Sequence, residues 1–167
     1  MGNSDKKARL GLEIERKFLV GDLSFKKEAT QVLHLCQGYI CKESGRTVRV
    51  RISDEKGYLT IKGPSKEGLS RLEWEKELSL DEARSLMSLC VTPLVEKHRY
   101  IIPAPGGRKW EVDEFHGRNS GLIEAEIELG SPDESFERPS WLGEEVTGDK
   151  RYYNSMLSVH PYDEWKD

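Results

Sequence analysis

Apolar and polar residues alternate with a period of two over most of the chain, the spacing of strands that have one face covered. In Leu10-Gly11-Leu12-Glu13-Ile14-Glu15-Arg16-Lys17-Phe18, the residues Leu10, Leu12, Ile14 and Phe18 fall on one side and Glu13, Glu15 and Lys17 on the other, with Arg16 alone breaking the apolar side. Thr47 to Ile52 repeats the pattern with Arg49 and Arg51, and Tyr58 to Lys62 with Lys62, before Gly63-Pro64 ends the run. Arg71 to Leu78 sets Arg71, Glu73, Glu75 and Glu77 against Leu72, Trp74 and Leu78. Val95 to Ile102 carries Lys97 and Arg99 on one parity, and Trp110 to Asp113 and Ile123 to Leu129 add Glu111, Asp113, Glu124, Glu126 and Glu128. With a weaker segment from Leu35 to Cys41, where Gln37 and Tyr39 share a parity, the pattern predicts about eight strands.

Helices are fewer. Ser79-Leu80-Asp81-Glu82 is a capping box that starts a helix with Ala83, Leu86, Met87 and Cys90 at helical spacing. Ser131-Pro132-Asp133-Glu134 predicts a second, limited by Pro139 to a turn or two. Ser24 to Leu33 and Tyr152 to Val159 predict two more. Connections at Glu43 to Arg46 and Asp54 to Gly57 have hairpin length, so neighbouring strands should be antiparallel. No repeat or linker marks a second domain, so a single domain is expected over residues 10–160, between a flexible polar tail at 1–9 and a charged tail at 161–167.

Composition changes this picture in one respect. The 167 residues are 34% charged, against the roughly one quarter of an average domain, so the surplus needs a place. The net charge of −4 argues against nucleic acid as a partner, and no apolar run approaches the ~20 residues of a membrane span. Cys36, Cys41 and Cys90 have no zinc spacing and suit reduced thiols, so the cytoplasm is the expected location.

A charged strand parity is ordinarily a solvated face, but here like charges recur two apart: Glu13 with Glu15, Arg49 with Arg51, Glu73 with Glu75, Lys97 with Arg99 and Glu126 with Glu128. Such pairs repel unless opposite charge lies between or above them. The arrangement that accommodates them turns the apolar parity outward under helices and the charged parity toward a lumen, which about eight strands suffice to enclose. The predicted class is α+β, mainly antiparallel β: an eight-stranded closed tunnel barrel with a charged interior and helices packed outside. Inward cations call for a polyanion, since Arg grips phosphate oxygens bidentately. Surplus carboxylates call for a hard divalent cation such as Mg²⁺ or Mn²⁺.

The segment Glu13-Ile14-Glu15-Arg16-Lys17 matches the Glu-x-Glu-x-Lys signature of the CYTH superfamily, the triphosphate tunnel metalloenzymes, and the chain resembles that family along nearly its whole length. Gln37-Gly38-Tyr39-Ile40, Arg49-x-Arg51, Leu59 to Gly63, Glu73-x-Glu75, Glu96-Lys97-x-Arg99-Tyr100, Glu111-Val112-Asp113, Ala125 to Leu129 and Val146 to Asn154 follow in the family's order. It is most similar to small single-domain bacterial members, whose favoured substrate is often inorganic tripolyphosphate.

The resemblance implies a barrel, usually in a homodimer, that hydrolyses or cyclises a triphosphate with one or two Mg²⁺ or Mn²⁺ ions. Carried over position by position, Glu13, Glu15, Glu126 and Glu128 resemble metal ligands, with Asp113 assisting directly or through water. Lys17, Arg49, Arg51, Lys62, Lys97 and Arg99 resemble the phosphate cradle, and Arg151, with Lys150 a weaker candidate, lies in the C-terminal motif. Glu73 and Glu75 are expected to orient cradle cations or a second metal, and Tyr39 resembles a tunnel tyrosine near the chemistry. Glu13, Glu15, Lys17 and Tyr39 are thus the expected catalytic group.

Other residues have plainer readings. Trp74 and Trp110 are expected to pack beneath helices, His98 to be structural, and His34, His116 and His160 to have no ligand role. Glu77, Glu111 and Arg71 are expected as wall ion pairs, and Glu124 as either a tunnel-mouth residue or a ligand. Besides hydrolysis of tripolyphosphate to pyrophosphate and phosphate, the alternatives are a class IV-type adenylate cyclase, a thiamine or nucleoside triphosphatase, and a polyphosphate-binding module without turnover.

Overall fold

A computed structural model of the chain describes residues 7–43, 45–66 and 69–165. The alternating segments form β1 (Arg9–Val20), β2 (Gln31–Cys41), β3 (Thr47–Ser53), β4 (Lys56–Lys62), β5 (Ser70–Leu78), β6 (Val95–Pro103), β7 (Lys109–Phe115) and β8 (Ile123–Glu128), with a short β9 (Leu142–Glu145). All pairings between these strands are antiparallel. The order β5-β4-β3-β2-β6-β7-β8-β1 is closed because β1 is shared: its first half pairs with β5 and its second half with β8. The result is the closed eight-stranded barrel expected from the alternation, with β9 added along the outside of β1.

The apolar parity faces outward and is sealed in patches. Helix α1 (Leu80–Met87), fixed by the reciprocal Ser79–Glu82 capping box, lies over β3 and β4, with Ala83, Leu86 and Met87 meeting Val50, Ile52 and Leu59. It comes so close to β4 that a Cβ on Gly57 would collide with that of Ala83. Elsewhere the cover is irregular chain. Residues 23–28 form a 3₁₀ turn and residues 31–41 a strand, so the helix expected over 24–33 is confined to its first turns. The helix expected at 131–134 does not form: the Glu134 carboxylate bonds back to the Gly130 N–H. Phe136 and Trp141 instead drop into a cluster with Phe18, Phe25 and Trp110. Trp110 is therefore buried, but beneath these extended residues rather than a helix.

Trp74 departs from expectation: it is only half-buried, and among the described residues no helix covers this part of the sheet. It lies beside exposed Leu10, Leu12, Ile61 and Leu72, with Leu10 opposite Trp74 and Leu12 opposite Leu72. The C-terminal segment is also packed rather than loose as far as Trp165. Arg118 bonds Asp163 and Glu164, and Trp165 packs edge-on against Tyr152 and Tyr162. Likewise β1 begins at Arg9, inside the expected N-terminal tail, while residues 1–6 and 166–167 lie outside the described residues.

Candidate functional site

Inside the barrel the register resolves the like-charge pairs by placing opposite charges across the strands. Lys17 on β1 faces Glu126 on β8, Arg99 on β6 faces Asp113 on β7, Lys62 on β4 faces Glu73 on β5, and Glu13 on β1 faces Arg71 on β5. One cavity is lined by seven cations, Lys17, Arg49, Arg51, Lys62, Arg71, Lys97 and Arg99, and by two carboxylates, Glu15 and Glu126. Tyr39, Thr47, Thr60 and the C-terminal residues Tyr153, Asn154 and Ser155 complete its wall.

Each cation is held by neighbours. Lys17 Nζ lies 3.4 Å from Glu124 and 3.3 Å from Glu126 and donates to the Tyr152 carbonyl at 3.0 Å. Lys97, wholly buried, sits 2.7 Å from Asp113 and donates to Asn154 Oδ1 at 2.8 Å. Arg99 makes a two-pronged contact with Asp113 and a third bond to Glu111. Thr60 links Arg49 to Glu75, and Lys62 bridges Glu13 at 3.0 Å and Glu73 at 3.3 Å. Glu75 therefore lies beside Arg49 and Glu73 beside Lys62.

The expected metal ligands divide. Glu13, Glu15 and Glu126 share one stretch of wall, where burial and the adjacent Glu126 and Glu13 push the Glu15 carboxyl well above its ordinary range. Burial would raise Glu13 and Glu126 too, but Lys62 and Lys17 respectively hold them below it. Asp113 is engaged by both Arg99 and Lys97, which bring it down to about 2 against burial. Glu128 is exposed at the rim, opposite Glu15. Arg151 does not reach the cavity: it is exposed, bonded to Asp149 and stacked on Tyr152 and Trp165. It sits in a 3₁₀ turn whose first carboxylate captures it, and Tyr153 and Asn154 approach the tunnel in its stead.

Among the described residues no three or more carboxylates, imidazoles or thiols already surround a common point, with Lys62 and Lys17 lying among the acids. The donor chemistry nevertheless fits a hard divalent ion, since the set is all carboxylate oxygen and Glu15 is crowded by its own kind. Anion binding has its own mark: the enclosed Arg49 Nε has no hydrogen-bond partner among the described residues.

Other inward-parity residues take places beyond those expected of them, and some wall residues come from chain with no parity. Arg71 lines the cavity as well as pairing with Glu13 at 3.9 Å, beyond the wall role expected of it. Glu124 is fully buried against Lys17, away from the mouth. Gln37 is buried and shares the inward parity of Tyr39, which was a usable signal. Tyr153 and Asn154 come from irregular chain and carry no periodic signal at all. Beside Lys97, inward-facing Val95 and Phe115 join Leu122 and Leu157 of α2 (Asn154–Leu157) in an apolar cluster that fills this end of the barrel. On the outer face, His98 Nδ1 and His116 Nε2 stand 2.6 Å apart, and His34 bonds Glu96, outside the cavity.

These shifts predict how stability depends on pH when divalent metal is chelated. Burial raises Glu73 and Glu124 to about 7, so their carboxyls are protonated more readily in the folded than in the unfolded chain. That contribution is complete below the ordinary carboxylate range and is lost as pH rises through about 7. Burial lowers Lys97 to about 7, which penalises folding below that pH and relaxes above it. The Glu15 carboxyl, raised in the same sense as Glu73 and Glu124, adds to their loss, so the melting temperature should fall as pH rises from about 5 to about 7. A steady rise across that window, read by calorimetry, would contradict the burial of these groups.

The chain is similar to known proteins over most of its length. The family model described as CYTH domain matches residues 11–159. The chain is 48% identical over 159 residues to an inorganic triphosphatase of Acetivibrio thermocellus, covering 95% of this chain and 100% of that one. It is 37% identical over 150 residues to an inorganic triphosphatase of Nitrosomonas europaea, covering 88% and 97%. A crystal structure of an inorganic triphosphatase superposes with a TM-score of 0.62 at 33% identity, over 88% of this chain and 97% of that one. A Pyrococcus horikoshii protein shares the fold at 21% identity, with a TM-score of 0.56 over 72% and 81%.

Proposed function

The chain belongs to the CYTH family, and on that premise we propose that it is a Mg²⁺- or Mn²⁺-dependent triphosphatase that hydrolyses inorganic tripolyphosphate to pyrophosphate and phosphate. The observation that carries this reading is the cavity wall of seven Arg and Lys side chains with Glu15 and Glu126 among them. Phosphoryl transfer asks a protein chiefly for positioning and for charge at the oxygens where negative charge shifts. Here Arg49, Arg51, Lys62, Arg71, Lys97, Lys17 and Arg99 hold the phosphate chain from several walls. Asp113, Glu75 and Glu73 fix the directions of Lys97, Arg99, Arg49 and Lys62. Glu13, Glu15 and Glu126 are the residues that would hold the divalent ion, with Glu128 a further oxygen at the rim. When bound, such an ion offsets charge on phosphate oxygens and makes a water more acidic. Tyr39, buried beside Arg49 on the neighbouring strand, is assigned to hydrogen bonding near the reacting phosphate.

A second reading, a nucleoside or thiamine triphosphatase, is favoured by a neighbouring cavity that shares Thr47, Tyr153 and Ser155 with the first and adds Pro64 and Met156. An organic head would project there. Among the described residues the inner cavity is lined by charged, hydroxyl and amide side chains, which puts tripolyphosphate first. Phosphate release from tripolyphosphate, ATP and thiamine triphosphate, with each metal and with cyclic AMP measured in parallel, tests the ranking. Tripolyphosphate should be turned over fastest with no cyclic AMP formed. Cyclic AMP without phosphate release would replace hydrolysis by cyclisation.

We further propose that the protein acts as a homodimer in the cytoplasm. The uncovered outer strip of Leu10, Leu12, Leu72 and Trp74 supports the first, and three free cysteine thiols the second. Light scattering should give the mass of two chains, and Leu12→Glu with Leu72→Glu should give that of one. A monomeric wild type contradicts the pairing.

A further inference from the structure

Arg51 differs from the other arginines of the tunnel wall. Arg49 has Glu75 at 3.8 Å, Arg71 has Glu13 at 3.9 Å, and Arg99 has Asp113 and Glu111 at 2.8 Å. Arg51 has no carboxylate within 4.0 Å among the described residues, and its hydrogen bond there is a single one from Nε to Gln37 Oε1 at 2.9 Å. Gln37 lies opposite Arg51 in the β2–β3 register, is fully buried, and turns its amide nitrogen toward Tyr39 Oη at 3.4 Å. A neutral amide therefore fixes both an arginine and a tyrosine of the cavity wall. A buried polar residue here could equally have been a carboxylate, which would pair with the guanidinium and hold it. Instead burial, together with Arg49 and Arg99, brings Arg51 down to about 9. An unpaired cation kept in this position is costly unless an anion takes it up.

We propose that Gln37 is a positioning residue that reserves Arg51 for a substrate phosphate, aiming the guanidinium through Nε while leaving its charge and its two Nη groups uncommitted. The same amide aligns the Tyr39 hydroxyl with the arginine. This deepens the triphosphatase reading and rests on it for the identity of the ligand.

Two near-isosteric variants separate this role from simple packing. Gln37→Glu supplies the counter-charge, while Gln37→Met keeps the volume and removes both hydrogen bonds. The dissociation constant for inorganic tripolyphosphate is measured by calorimetric titration, with KM, kcat and the melting temperature of each variant. Gln37→Glu should weaken binding and raise KM about tenfold or more, the value of one charge-assisted contact, with a melting temperature no lower than that of Gln37→Met. Gln37→Met should weaken binding only a few-fold. Equal weakening by both variants, or unchanged binding in Gln37→Glu, overturns the assignment. Failure of wild type to release phosphate would instead overturn the hydrolase reading, leaving the binding comparison to decide the role of Gln37.

Discussion

Glu15→Gln should lower kcat for tripolyphosphate by at least about 10²–10³, the cost of removing one group that offsets charge in the transition state, without lowering the melting temperature. The two halves of this expectation have one cause. Glu15 is buried beside Glu126 and Glu13, and its carboxyl resists ionisation there. An amide of the same shape removes that crowding from the folded protein while removing an oxygen that a divalent ion would draw into the charged state. Activity and stability should therefore move apart. Phosphate release at saturating Mg²⁺ or Mn²⁺, with a thermal melt of the same sample, reads both. A variant that turns over at the wild-type rate contradicts the assignment, and one that melts well below wild type contradicts the crowding.

Phe18→Ala should have the largest effect on stability, about 3–5 kcal/mol. Phe18 is fully buried and meets Trp110 and Phe136 edge-on, both at 5.8 Å, with Arg138 stacked on its ring at 5.1 Å. It is the outward-facing neighbour of Lys17 on β1, the strand that closes the barrel through both β5 and β8. The cavity left by its ring would loosen the seal formed by residues 136–141 over that closure. Chemical denaturation should show the loss, with a fall in melting temperature of roughly 10 °C. A change under about 1 kcal/mol would mean that the irregular cover is not what holds the outer face.

What could be read in advance follows from where regular periodicity governs the chain. Strand parity assigned Lys17, Arg49, Arg51, Lys62, Lys97, Arg99, Glu13, Glu15 and Glu126 to one interior because every strand obeys the same two-residue repeat. The same repeat cannot reveal that β1 changes partner midway, between Ile14 and Glu15, since closure depends on strand stagger. It is equally silent on the covering chain. Ser131-Pro132-Asp133-Glu134 has the residues of a helix start, but Phe136 gains more by entering the aromatic cluster than a two-turn helix could offer. Arg151 falls within a motif of the family, yet Asp149 two residues earlier caps its turn and takes its guanidinium outward. Asn154 and Tyr153 reach the cavity through a turn, where sequence spacing carries no directional information.

The proposed oligophosphate site is the place where the inward side chains of strands around the barrel would meet a ligand. The most direct measurement is a crystal structure of the protein with tripolyphosphate and Mn²⁺, using the anomalous signal of manganese to locate the ion. Phosphate density should lie within hydrogen-bond reach of Arg49, Arg51 and Lys62, with a manganese peak beside Glu13, Glu15 and Glu126. Phosphate bound on the outer surface, with the manganese away from these three carboxylates, would contradict it.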